Sequence, residues 1–268
     1  TKATQKSFIS ATPLSPLIVI SLYGHAQLAF TEVSDVSLFD PKTIVAKALE
    51  IEYQELVDWV KAHSDRFGFA RNSIEAQKLI DAKKTALVLS IEGAYGALDT
   101  EEGFRKWIDD RGVAIVTPFH LTEDHFSGVA LLAGFRAINS PYEFFKSLLI
   151  TGFSCIKTYC KGTIGIKPEG SVLIERLIRR SVWIDTSHSS EMDLAELLPT
   201  LANANWPLLA THTQIREFYQ AERGLGEAES AYIKEHDGIL GLIPTSDMID
   251  RWPTDQDRPS RDCKSGLD

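Results

Sequence analysis

Short apolar segments alternate with amphipathic stretches along most of the chain, and this alternation constrains the fold more than any other feature of the sequence. The segments are rich in β-branched and aliphatic residues and contain three to six residues, as expected for strands buried on both faces. They lie at 17–22, 86–91, 113–116, 182–184, 207–210 and 239–243. Strands that alternate with helices are typical of a parallel sheet covered by helices, so the sequence predicts an α/β fold.

Apolar positions at helical spacing predict the helices between these strands. The longest is predicted over 41–63, and the others from about 100 to Gly112, over 142–150, after an N-cap at Ser171, over 192–201 and over 228–235. A doubly wound sheet and a (β/α)8 barrel both fit this order. No glycine-rich turn follows any strand, which argues against a nucleotide-binding doubly wound sheet. The six predicted strands fall short of the eight that close a barrel.

The charge balance excludes several classes of partner. The chain has 28 lysines and arginines against 37 aspartates and glutamates, a formal net charge of −9. Proteins that bind nucleic acid or an anionic membrane need clustered positive charge, so we expect no nucleic-acid partner. The longest apolar run, at 17–22, is far shorter than the roughly 18 residues that cross a bilayer, so no transmembrane segment is predicted. No signal or anchor is recognised, which slightly favours a cytoplasmic location.

Residues that can bind metals follow four successive predicted strands. Glu92 follows the second strand, His120 the third, His188 the fourth and His212 the fifth. In a parallel barrel the carboxyl ends of the strands share one rim, where barrel enzymes place their active sites. One carboxylate with two or three imidazoles suits a first-row metal ion, most naturally zinc. A single histidine after a strand is more often a hydrogen-bonding residue, so the prediction depends on all four positions together.

Arg223 is a separate candidate for substrate binding. It lies eleven residues beyond His212, where a loop is expected above the rim. A guanidinium group suits a substrate carboxylate, which it can bind through two hydrogen bonds. The alternative is a surface arginine paired with Glu222 or Glu227.

These motifs, in this order, make the chain resemble the membrane or renal dipeptidase family, peptidase family M19. The matching segments are Ile91-Glu92-Gly93, the strand that leads to His120, Asp185-Thr186-Ser187-His188, Thr211-His212-Thr213 and Arg223. The resemblance extends from about Leu17 to about Ile243. It implies a TIM-type (β/α)8 barrel of the metal-dependent hydrolase kind. It also implies a zinc-dependent dipeptidase that cleaves the peptide bond of dipeptides with metal-activated water, and a possible homodimer.

The resemblance further implies a role for each candidate residue. The implied metal ligands are Glu92, which would bridge two zinc ions, and His188 and His212, which would complete the protein ligands of the second ion. His120 would polarise the scissile carbonyl or stabilise the tetrahedral oxyanion. Arg223 would hold the C-terminal carboxylate of the dipeptide. Asp185 is expected to orient one of the imidazoles from behind.

The sequence departs from the family pattern at two places. The family's first strand ends in a His-x-Asp pair, and no such pair follows any of the predicted strands. The family also has a Gly-x-Asp segment on its last strand, whereas this sequence ends at Gly266-Leu267-Asp268 before any further strand. We therefore expect a single metal-dependent hydrolase barrel domain over residues 1–268, incomplete at both ends and without the first and last strands.

Two other functions fit the same residues. A relative with one metal or none would be a non-catalytic binding protein on the same barrel. A metal-dependent lactonase or amidohydrolase would share the metal chemistry without needing an arginine to bind a substrate carboxylate.

Overall fold

The computed structural model describes residues 15–23, 41–120, 123–130, 154–155, 160–217 and 221–243. In these ranges the strands are β1 (Leu17–Tyr23), β2 (Phe67–Phe69), β3 (Thr85–Glu92), β4 (Ile115–Thr117), β5 (Ser154–Cys155), β6 (Cys160–Lys161), β7 (Trp183–Ile184), β8 (Leu209–Thr213) and β9 (Ile239–Leu242). The helices are α1 (Pro41–Ala62), α2 (Ser73–Asp81), α3 (Glu101–Phe104), α4 (Pro168–Arg179), α5 (Glu191–Asn203) and α6 (Glu227–Glu235). The helix predicted over 142–150 lies outside the described residues.

The prediction of an α/β fold with a parallel sheet is confirmed. β1 runs parallel to β3 along its whole length, with Leu17 opposite Ala86 and Tyr23 opposite Glu92. β2 also pairs in parallel with β3, and β8 pairs in parallel with β9. The strand order in the largest sheet is β1-β3-β4-β7, with β2 also on β3. Closure of the strands into a barrel and a single domain over 1–268 stay predictions.

The chain divides into two compact units, and the first comprises the described residues up to Glu92 together with 96–115. β3 is buried at all but one of its positions, as its continuous apolar sequence predicts. α1 buries Val45, Leu49 and Val60, which are positions at helical spacing. Val60 packs in one cluster with Phe67 and Leu87. The local period of the sequence therefore selects the side chains that form this core.

The segment after Thr100 is helical, as predicted, but it is not one regular helix. Thr100 caps α3, because its hydroxyl accepts a hydrogen bond from the backbone N–H of Gly103 at 3.1 Å. α3 continues into a π-helical stretch, Arg105–Asp110, which buries Trp107 and Ile108. Gly112 ends the helical segment with φ +74°, in the left-handed region that favours glycine.

The second unit comprises Gly93–Tyr95 and the described residues from Val116 onward. Backbone hydrogen bonds join its strands: the N–H of Asp185 donates to Val116 at 2.9 Å, and that of Thr186 donates to Leu209 at 2.8 Å. The carboxyl ends of β4, β7 and β8 are thereby neighbours. The helices cover this unit with buried aliphatic side chains, among them Leu173, Leu177, Leu194 and Leu197.

The predicted N-cap at Ser171 is wrong. α4 begins at Pro168 and its N-cap is Lys167. Proline is favoured at the first helical position because its φ is already helical and it has no N–H to leave unpaired. Ser171 lies inside the first turn, where its N–H donates to the carbonyl of Lys167 at 3.0 Å. β2, α2 and the antiparallel pair β5–β6 were not predicted, because such short elements carry too little periodicity.

Charged residues interrupt the apolar positions of α1, which is 22 residues long. Across the described ranges, no helix combines the length and the apolar character that crossing a bilayer requires.

Candidate metal centre

The candidate metal ligands lie at the carboxyl ends of strands. Glu92 is the last residue of β3, and His212 is the last but one of β8. His120 and His188 come shortly after β4 and β7. The sequence predicts that all four follow their strands, whereas Glu92 and His212 lie within them. Strand pairing continues to the end of β3, where Glu92 is still opposite Tyr23.

The chain turns directly after Glu92. Gly93 has φ +92°, a left-handed conformation that favours glycine over residues with a Cβ. Its N–H donates to the carbonyl of Thr117 at 2.9 Å. The Glu-Gly sequence therefore ends β3 at the carboxylate itself, and Glu92 is 4% exposed there.

Three imidazoles from distant parts of the sequence come together in the second unit. The ring of His120 lies edge-on to that of His188, with centroids 4.5 Å apart and an interplanar angle of 88°. The rings of His188 and His212 lie 5.0 Å apart, and their Nε2 atoms are separated by 3.0 Å. His120 and His188 are buried, and His212 is half-buried.

Two of these histidines, His188 and His212, present a pair of nitrogens with metal-binding geometry. Two nitrogens bound to one tetrahedral zinc, each about 2.0–2.1 Å from it, are about 3.3 Å apart. The 3.0 Å between the two Nε2 atoms is close to that separation. The donor set and its spacing fit a first-row metal ion.

The charge state of His212 favours metal binding. Burial lowers the pKa of its imidazole, and the Arg223 guanidinium lowers it further, while the Asp185 carboxylate opposes both. An imidazole binds a metal only in its neutral form. His212 therefore keeps its ligand form to lower pH than an exposed histidine does.

The Asp185 carboxylate, 1% exposed, is held by hydroxyl groups. Oδ2 accepts from Thr117 Oγ1 at 2.7 Å and from Thr211 Oγ1 at 2.8 Å. Oδ1 accepts from Ser187 Oγ at 2.7 Å and from the N–H of Thr211 at 2.8 Å. The sequence predicts that Asp185 orients an imidazole, but it does not identify these three hydroxyls. Serine and threonine next to a metal ligand carry no distinct sequence signal, because threonine is common in any strand.

Arg223 lies against His212. Its Nη2 donates to the carbonyl of His212 at 2.9 Å, and the Thr213 hydroxyl donates to the carbonyl of Arg223 at 2.9 Å. The neighbouring Glu222 is fully buried, and its carboxylate accepts from the N–H of Gly162 at 2.7 Å. The structure thus places the guanidinium beside a candidate metal ligand.

The sequence contains one His-x-Asp pair, His63-Ser64-Asp65, and the structure places it after α1 instead of after a strand. His63 Nδ1 lies 2.8 Å from the carbonyl of Trp59, and the two rings stack with centroids 4.6 Å apart. His63 therefore contacts a backbone carbonyl in the last turn of α1.

The sequence matches no protein-family model, and a comparison with curated proteins finds no match. Solved structures do match. The probable dipeptidase PvdM from Pseudomonas aeruginosa has a TM-score of 0.66 and 20% identity, over 85% of this chain and 50% of that one. The dipeptidase AC, a metallopeptidase of family M19, has a TM-score of 0.63 and 16% identity, over 85% and 59%. A metallopeptidase from Rhodobacter sphaeroides, solved with a phosphinate mimic of the dipeptide L-Ala-D-Ala, has a TM-score of 0.59 and 18% identity, over 84% and 60%.

These similarities confirm the predicted resemblance at the level of the fold. The chain shares an α/β fold with a probable dipeptidase and with a metallopeptidase of family M19. It spans between 50% and 60% of the length of these structures. A shared fold does not fix a function, which depends on the residues of the site.

Proposed function

We propose that this chain is a metal-dependent hydrolase that cleaves the peptide bond of dipeptides, with zinc as its metal. The observation that carries the proposal is the pair of imidazoles of His188 and His212, whose Nε2 atoms face each other at 3.0 Å, close to the separation of two ligands of one zinc ion. Two histidines and one glutamate form a common ligand set of catalytic zinc. The fold shared with dipeptidases supports dipeptides as the substrates.

Zinc supplies Lewis-acid chemistry and makes water nucleophilic near neutral pH. Glu92, at the end of β3, would contribute an anionic oxygen to the ion, and the two histidines would contribute neutral nitrogens. The second ion that Glu92 would bridge is implied by the resemblance to family M19.

The remaining two candidates act on the substrate in this proposal. His120, whose ring lies 4.5 Å from that of His188, donates a hydrogen bond to the carbonyl oxygen of the scissile peptide. That bond strengthens as negative charge develops on the oxygen, which lowers the barrier to hydrolysis. Arg223 binds the C-terminal carboxylate of the dipeptide by charge-assisted hydrogen bonds.

The first experiment tests the metal ligands. We expect the wild type to bind zinc and to hydrolyse members of a dipeptide panel. His212→Ala should weaken zinc binding by at least about 100-fold, because loss of a ligand costs more than the 10- to 100-fold typical of its outer partners. Zinc content by mass spectrometry and hydrolysis by product chromatography provide the readouts.

The matched control is His236→Ala. His236 is also half-buried, but it lies after α6, where its Nδ1 faces the carbonyl of Tyr232 at 3.2 Å and its ring stacks on Tyr232. This variant should keep both zinc and activity. Wild-type protein that stays inactive with zinc added would reject the proposed function. His212→Ala that binds zinc like the wild type would reject the ligand assignment.

The second experiment tests Arg223 with dipeptides that carry a free or an amidated C-terminus. Arg223→Ala should lower kcat/KM for the free form by about 10- to 100-fold, since hydrogen bonds to a charged group contribute about 1.5–3 kcal/mol. The amidated form should be a poor substrate of both proteins. Equal turnover of the two forms by wild type and variant would instead favour a lactonase or amidohydrolase. Zinc binding without any hydrolysis would favour the non-catalytic binding protein.

A further inference from the structure

The Thr211 hydroxyl lies between a carboxylate and a candidate metal ligand. Its Oγ1 is 2.8 Å from Asp185 Oδ2 and 2.9 Å from Nδ1 of His212. A hydroxyl has one proton to donate, whereas an ionised carboxylate can only accept. The Thr211 hydroxyl therefore donates to Asp185, and it accepts the proton carried on Nδ1 of His212.

The surroundings of Asp185 support this direction. Its carboxylate also accepts from two backbone N–H groups, those of Thr211 at 2.8 Å and Ser187 at 3.3 Å, which can only donate. Ser187 Oγ donates to Oδ1 at 2.7 Å. The Ser187 and Thr211 hydroxyls are 3.4 Å apart, and no proton is needed between them because each donates to the carboxylate.

A proton on Nδ1 determines what the other ring nitrogen can do. A neutral imidazole carries one N–H, so Nε2 then holds a lone pair. Nε2 of His212 is the atom that faces Nε2 of His188 at 3.0 Å. The lone pair is thus on the side where the two histidines meet.

The backbone of His212 is tied to the same carboxylate. Its N–H donates to Ser187 Oγ at 3.0 Å, and that hydroxyl donates to Asp185. The Ser187 hydroxyl therefore holds the main chain of His212, and the Thr211 hydroxyl holds its ring.

We propose that Thr211 is a positioning residue. Its hydroxyl forms a relay of two hydrogen bonds between the Asp185 carboxylate and the His212 ring, and this relay fixes the imidazole in the Nδ1–H tautomer with Nε2 available to the metal. Histidine ligands usually make such an outer hydrogen bond directly to a carboxylate or carbonyl. Here a threonine hydroxyl is interposed. The metal part of this inference rests on the proposed function, but the tautomer does not.

The test uses two substitutions at Thr211. Thr211→Val keeps the shape of the side chain and removes the hydroxyl, while Thr211→Ser keeps the hydroxyl. Thr117→Val is the matched control, because Thr117 donates to the same oxygen of Asp185 at 2.7 Å and makes no hydrogen bond to His212. The tautomer of His212 is read from ¹⁵N shifts of the imidazole in metal-free protein, and the zinc Kd from chelator competition.

We expect the Nδ1–H tautomer in the wild type, Thr211→Ser and Thr117→Val, and a shift toward Nε2–H in Thr211→Val. Thr211→Val should also weaken zinc binding by about 10- to 100-fold, the range for the loss of an outer partner. Thr211→Ser and Thr117→Val should bind zinc like the wild type.

An Nε2–H tautomer in the wild type overturns the proposal, and this measurement needs no variant to fold. Equal weakening of zinc binding by Thr117→Val and Thr211→Val also overturns it. If the wild type binds zinc and Thr211→Val keeps the wild-type tautomer, the relay is rejected while the proposed function stands. If the wild type binds no zinc but Thr211→Val shifts the tautomer, the proposed function fails and the relay is supported.

Discussion

Two buried carboxylates, one before and one after His188 in the sequence, have different surroundings. Asp185 precedes the histidine and Asp193 follows it, and they are 1% and 0% exposed. Asp185 accepts from three hydroxyls and from backbone N–H groups, and it faces the candidate metal centre through Thr211. Asp193 accepts from the N–H of Ser190 at 2.8 Å, in the capping box of α5.

Asp193 connects the start of α5 to the segment that contains Ser127. Its carboxyl also contacts the Ser127 hydroxyl, which lies 2.9 Å from the carbonyl of Gly165. Burial raises the pKa of Asp193 to about 6, although the hydrogen bonds from Ser127 and Ser190 act against it. Burial alone therefore does not decide the role of a carboxylate, which also depends on the number and placement of its hydrogen-bond donors.

The largest expected effect is that of Asp185→Asn. The asparagine amide has only one oxygen. Its NH2 group therefore replaces the other carboxylate oxygen, and the hydroxyls that donated to that oxygen lose their acceptor. A buried donor left without an acceptor costs about 1–3 kcal/mol, and each carboxylate oxygen of Asp185 accepts from at least two donors, so we expect a loss of about 2–6 kcal/mol. Urea unfolding of the metal-free protein at neutral pH should report a loss of that size. A loss below about 1 kcal/mol, the contribution of one ordinary hydrogen bond, would mean that the network does not hold Asp185 as described.

Asp193→Asn should have the opposite sign near neutral pH. The folded-state pKa of Asp193, about 6, is above the usual aspartate pKa of 3.8, so ionisation is harder in the folded protein. Stability is therefore full below about pH 4 and falls as pH rises through about 6, by up to about 3 kcal/mol for the two-unit difference. The difference in unfolding free energy between Asp193→Asn and wild type should rise by that amount between about pH 4 and 7. A difference in unfolding free energy that does not change with pH would contradict the raised pKa of Asp193.

The smallest effects are expected from a matched pair of serines. Ser190→Ala removes the N-cap of α5 and should cost about 1 kcal/mol with no change in zinc Kd. Ser187→Ala should cost a similar amount, about 1 kcal/mol, and should weaken zinc binding by about tenfold, because the hydroxyl holds the backbone of a candidate ligand. Equal zinc Kd values for the two variants would contradict the distinction between the surroundings of Asp185 and those of Asp193.

Several features of the site were predicted because they depend on position along the chain. Buried parallel strands are recognised by short apolar runs, and their carboxyl ends meet at one edge. Glu92, His188 and His212 were identified for that reason, and the Nε2 atoms of the two histidines lie 3.0 Å apart. Their role as metal ligands stays a prediction.

Other features could not be predicted, because several positions compete for the same role. Ser171 is a good N-cap by residue type, yet Pro168 starts α4 one turn earlier and makes Lys167 the cap. Helix ends are decided by such local competition, which the periodicity of apolar residues does not resolve.

The sequence by itself determined the order of the six predicted strands and the residue types at their ends, because both follow from local periodicity and composition. Only the tertiary structure decided which hydroxyls reach Asp185. Thr117 and Thr211 lie 68 and 26 residues away from it, and their contacts depend on how β4, β7 and β8 are aligned side by side. A shift of one residue in that alignment would turn each threonine to the opposite face of its strand.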